Sequence, residues 1–75
     1  MINQKCLNLK SGNAVVVLEA NFTTLGKKKI PTYTVKRIDT GTEMISDRRG
    51  IIPFSDLEKV MDPEDAEALR NKYGN

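Results

Sequence analysis

Ala14-Val15-Val16-Val17-Leu18-Glu19-Ala20 is the stretch that decides how this chain folds. Six of its seven residues are apolar, and three in a row are β-branched. β-Branched side chains lose rotamer freedom against a preceding helical turn, so the run disfavours helix. Its apolar residues fall on both sides of the two-residue strand period. It therefore reads as a central strand buried on both faces.

Working upstream, Lys5-Cys6-Leu7-Asn8-Leu9 alternates, with Leu7 and Leu9 on one side, and Lys10-Ser11-Gly12-Asn13 is a turn cluster. Downstream, Asn21–Lys29 reads as a loop with Gly26 at a special backbone position. Ile30–Asp39 alternates again, with Tyr33, Val35 and Arg37 against Thr34, Lys36 and Ile38. Asp39-Thr40-Gly41 closes a hairpin to Thr42–Asp47, and Asp47-Arg48-Arg49-Gly50 is a second turn into Ile51–Phe54. Pro31 and Pro53 belong at strand starts or edges, because proline cannot donate to a ladder.

The tail changes period. Ser55-Asp56-Leu57-Glu58 has the form of a capping box, Ser55 at N-cap and Glu58 at N3, with Leu57, Val60 and Met61 along one side. Asp62-Pro63-Glu64-Asp65 then opens a helix over 63–73, with Ala66, Leu69 and Tyr73 as its apolar stripe.

Seventy-five residues make one domain: strands over 1–54, a helical turn over 55–61 and the C-terminal helix. Consecutive short strands with tight turns cannot form a parallel sheet, which needs long crossovers. A small antiparallel meander hides its edges best by curling. The expectation is a mainly β, five-stranded antiparallel barrel with a short helical appendage. Its core is expected from Leu7, Leu9, Val15, Val17, Val35, Ile38, Ile45, Ile52 and Leu57, because only four aromatics are present and none is Trp.

Two segments resemble small SH3-like barrels of the KOW and Tudor type. One is Cys6–Gly12 followed by Val15–Val17; the other is Tyr33–Gly41 with Glu43-Met44-Ile45 and Phe54–Glu58. Together they span about residues 4–60. KOW-type members imply binding to RNA or the transcription apparatus. Tudor-type members that grip methylated side chains imply an aromatic cage, and four scattered rings depart from that pattern.

The chemistry of the residues points away from catalysis. No histidine is present, which removes the commonest general base and the Ser-His and Cys-His dyads. One cysteine, Cys6, permits neither an internal disulfide nor a structural zinc site, and it reads as a small core hydrophobe. Gly26-Lys27 lacks the first glycine of a P-loop, and Asp62–Asp65 lacks the spacing of a calcium loop. No catalytic residue, metal or cofactor is expected. The lone cysteine points to a reducing cytoplasm. No apolar run approaches the roughly 20 residues of a membrane span, and Met1–Lys5 lacks the apolar stretch of a signal peptide. The sequon Asn21-Phe22-Thr23 then has no role.

Charge is segregated along the chain. Residues 1–37 hold seven bases against Glu19 alone, a net of +6, whereas residues 55–75 hold six acids against three bases, a net of −3. Helix starts account for most of the acids. The bases do not explain themselves so readily. Lys27, Lys28 and Lys29 sit together, Lys36 and Arg37 follow, and Arg48 and Arg49 occupy a turn. Phe22, in the polar setting Asn21-Phe22-Thr23-Thr24, is the aromatic expected to be exposed. Such residues suit phosphate contacts on nucleic acid or contact with an acidic protein; three lysines also simply solubilise a loop and blunt an edge.

Two functions are expected from different classes. The first is a binding or regulatory module that engages nucleic acid or a nucleoprotein complex through these bases. The second is a protein-interaction module, an inhibitor or adaptor, docking through its helix or a strand edge. The Lys-, Asn- and Ile-rich composition is compatible with a phage or mobile-element product. The oligomeric state is left open.

Overall fold

The computed structural model describes residues 2–74. The chain forms β1 (Lys5–Asn8), β2 (Ala14–Leu25), β3 (Lys28–Arg37), β4 (Glu43–Asp47) and β5 (Ile51–Pro53). A 3-10 turn over Arg48–Gly50 links β4 to β5, a 3-10 helix covers Phe54–Lys59, and α1 runs Pro63–Lys72. One antiparallel sheet in the order β4-β3-β2-β1-β5 contains all five strands. The run at residues 14–20 opens β2, which lies at the centre of that order.

Two apolar clusters occupy the two faces of the sheet. On one face Cys6, Val15, Val17, Val35 and Ile51 are buried, with Tyr33 and Met44 packed against them. On the other, Leu7 and Ala14 meet Phe54, Leu57 and Ala66, joined by Ile38, Ile52, Met61, Leu69 and Tyr73. Strand parity explains the division, since adjacent residues Cys6 and Leu7 point to opposite faces. The helix stripe expected from the sequence is thus used internally. Arg70 ties it down by donating from Nε to the Phe54 carbonyl at 3.0 Å and from Nη1 to Glu58 at 2.7 Å.

Four expectations need correction. Asn21–Lys29 is not a loop: β2 runs on to Leu25 and β3 begins at Lys28, leaving only Gly26-Lys27 as a turn. Gly26 has φ +62° and is the only left-handed residue of the two, as a type II′ hairpin turn requires. Leu9 and Ile45 are not core residues; Leu9 lies beyond the end of β1, and Ile45 sits on the uncovered side of β4, 64 % exposed. The capping box does not form, because Pro53 holds the N-cap position and Glu58 pairs with Arg70 instead. The strands are also not uniformly short, since β2 has 12 residues and β3 has 10.

Those two strands set the shape, 42 × 25 × 19 Å. β1 pairs with β2 only at Ala14–Val16, and β4 pairs with β3 only from Thr32 onward. Beyond those points β2 and β3 continue as a two-stranded ribbon. Register slips once, from Val17↔Val35 to Glu19↔Thr34, making Leu18 a bulge.

Candidate functional site

An isolated two-stranded ribbon is marginally stable in water, so something must hold this one. Polar cross-strand pairs contribute: Asn21 Nδ2 donates to Thr34 Oγ1 at 2.7 Å, and the hydroxyls of Thr23 and Thr32 lie 3.2 Å apart. The larger device is Arg48. From the 3-10 turn after β4 it donates through Nε to the Thr32 carbonyl at 2.9 Å and through Nη2 to the Asn21 carbonyl at 2.7 Å. Asn21 and Thr32 are directly paired across the ribbon. One guanidinium therefore stitches both strands at its base. Its Cζ also lies 4.9 Å from the Phe22 ring centroid and 5.1 Å from that of Tyr33, cation–π distances for both.

The seven expected bases separate into distinct environments. Arg48 is structural. Asp47 caps the same turn by accepting from the Arg49 amide at 2.9 Å, and it pairs with the Arg49 guanidinium at 3.0 Å, the arginine side chain being 87 % exposed. Arg37 is bound to Asp39 by Nε at 3.0 Å and Nη2 at 2.6 Å. These contacts hold the carboxyls of Asp39 and Asp47 below the usual carboxylate range. Lys27, Lys28, Lys29 and Lys36 enter no ion pair among the described residues.

The four free lysines do not share a patch. Lys27 lies in the hairpin turn, with Lys28 opposite Leu25 and Lys29 opposite Thr24. Lys36 is eight residues further along β3, about 26 Å of strand from Lys28. There, with Lys5, Arg37 and Ile38, it rims an open groove of about 400 Å³ floored by Val16 and Leu18. Lys5 is occupied, donating to the carbonyls of Tyr73 and Gly74 at 2.8 and 2.6 Å. The acids of the tail lie with the 3-10 helix and α1, which pack near Leu7 and Ala14. Leu25 is eleven residues along β2 from Ala14, so the ribbon tip and the acidic tail stand at opposite ends.

Phe22 is 63 % exposed, as its polar setting suggested. Its association with Arg48 and Tyr33 was not legible in the sequence, where 26 residues separate Phe22 from Arg48. Cys6 is fully buried, and burial pushes its thiol up to about 11, so it stays protonated near neutrality. No cluster of three or more His, Cys, Asp and Glu placed to hold a metal occurs among the described residues, and no helix is long and apolar enough to cross a membrane. No protein-family model, curated protein or solved structure matches the chain.

Proposed function

We propose that this chain is a non-enzymatic accessory module that binds nucleic acid through the tip of the β2–β3 ribbon. The carrying observation is three consecutive lysines, without carboxylate partners, on a projecting and anchored hairpin. Free lysines release counterions from a phosphate backbone without first breaking an intramolecular pair. A ribbon held at its base loses little conformational freedom on docking. Arg37, Arg48 and Arg49, each already engaged, leave the expected contact set; Lys36 is too distant to join the tip.

We read the curled sheet as a small SH3-like barrel. Support comes from the 3-10 turn that joins its two terminal strands and from one bond between strands that are not neighbours in the sheet: Asn8 Nδ2 on β1 donates to Ser46 Oγ on β4 at 3.2 Å. A lone buried thiol suits a reducing compartment, and we place the protein in the cytoplasm on that ground.

A second reading has its own observation. From Glu19 to Leu25, β2 pairs only with β3, which leaves an open edge able to accept a strand from a partner protein. Docking through α1 is disfavoured, because Ala66, Leu69 and Tyr73 already pack internally.

Salt separates the readings. Anisotropy titrations of labelled DNA and RNA at two salt concentrations should show weakening with salt, flattened by about two in log–log slope for Lys28→Glu/Lys29→Glu on duplex DNA. Absence of binding near physiological salt at high protein concentration rejects the nucleic-acid reading and favours the open edge.

A further inference from the structure

The two faces of the ribbon carry different chemistry. Opposed residues share a face, so Phe22 with Pro31 and Thr24 with Lys29 lie on the side that bears Val17 and Val35 in the body of the sheet. Lys28 lies on the other side with Leu25, Thr23 and Thr32. Phe22 and the position of Lys29 are two residue steps apart, about 7 Å of strand.

The Phe22 ring is also placed before any ligand arrives. One face lies against the Arg48 guanidinium, which two backbone carbonyls hold in position. The residue remains 63 % exposed, so the opposite face of the ring is open to solvent. A large exposed aromatic backed by a fixed cation and next to a free ammonium group is a poor arrangement for solubility alone. Carboxylates do not suit the open ring, whose face carries negative electrostatic potential. A flat, neutral π-system joined to an anion suits both elements.

We infer that Phe22 is a stacking platform for an unpaired nucleobase, with Lys29 taking the adjoining phosphate, so that the ribbon prefers single-stranded nucleic acid over duplex. This rests on the proposed binding at the ribbon tip and adds its substrate class. In a duplex the bases are stacked on one another and offer the ring no face, whereas an unpaired base in either DNA or RNA does.

The test uses the full chain and short homopyrimidine strands of DNA and RNA, with a DNA duplex of equal length as comparison. One base–aromatic stack predicts a single-strand preference on the order of tenfold. Phe22→Leu should abolish that preference while leaving duplex affinity unchanged and lowering the thermal midpoint by no more than about 2–4 °C, the loss of one exposed cation–π contact, and Phe22→Tyr should keep it. A strand containing 2-aminopurine should lose fluorescence on binding the unmodified protein, a signature of stacking that needs no variant. Equal affinity for strand and duplex, with both weakened by Lys28→Gln and neither by Phe22→Leu, would overturn the stacking site and leave phosphate binding intact. Displacement of the strand by polyglutamate of equal charge as readily as by unlabelled strand would overturn it too, since charge alone would then suffice. No binding to any strand or duplex would remove both this inference and the function it rests on. Unequal results for DNA and RNA strands, each above duplex, would support stacking and identify the preferred sugar.

Discussion

Replacing Arg48 with methionine should loosen the ribbon while leaving the body of the sheet intact. The guanidinium makes two charged hydrogen bonds to carbonyls, each worth about 1 kcal/mol once the lost hydration of the donor is counted. Its contacts with the rings of Phe22 and Tyr33, one of them well exposed, add about 0.5 kcal/mol apiece. Against this stands the entropy of fixing a long side chain, about 1.5–2 kcal/mol for arginine. The net contribution is about 1–1.5 kcal/mol, and methionine retains much of the packing. For a domain of this size that lowers the thermal midpoint by about 4–12 °C. Amide exchange should report the location, with faster exchange over residues 19–25 and 28–31 and unchanged protection at Val15, Val17 and Val35. Arg49→Met is the matched control. It deletes the same charge one residue away, from a side chain 87 % exposed and paired only with Asp47, so its effect should stay within about 0.5 kcal/mol. Equal midpoints and equal ribbon exchange for the two variants would refute the role given to Arg48.

Two further outcomes probe the two clusters. Val17 is fully buried among Cys6, Val15, Val35 and Ile51, so Val17→Ala should cost about 1–3 kcal/mol by chemical denaturation; an unmoved midpoint would place β2 outside the core. On the helix side, Arg70 donates hydrogen bonds to Glu58 and lowers its pKa from 4.5 to about 2. A carboxylate pKa lowered by folding stabilises fully above about pH 4.5, and this contribution is lost as pH falls toward about 2. An NMR titration should follow that window and move up toward the ordinary range in Arg70→Gln; identical Glu58 titrations in the two proteins would dismiss the pair.

What the sequence conveyed and what it hid have physical causes. Val15, Val17 and Val35 were legible because a buried strand leaves an apolar pattern. The ribbon was not, because neither face of residues 21–30 packs on a core, so nothing imposes alternation. Only Phe22, Thr23 and Thr24 as β-formers and Gly26 as a turn residue marked it. Ser55 and Glu58 had the spacing of a capping box, but a tertiary partner twelve residues away took Glu58. Arg48 and Arg49 are chemically identical neighbours. Only the turn that aims one beneath the ribbon and the other into solvent tells them apart, and so the expected basic surface shrank to Lys27, Lys28 and Lys29. The halved charge pattern survived as a separation in space.

Leu18 carries more weight than its half-buried position suggests. Val17 and Phe22 are five residues apart, an odd interval that would put them on opposite faces of a regular strand. The bulge at Leu18 restores them to one face. Loss of that single residue would rotate the outer half of β2, turning Phe22 away from Arg48 and Asn21 toward it. Insertions in the ribbon are therefore not equivalent. Matched additions of two residues to each strand would lengthen its reach and keep its chemistry, whereas a single added residue in β2 would exchange its two faces. A lineage could vary the ribbon's length in even steps and keep the same surface.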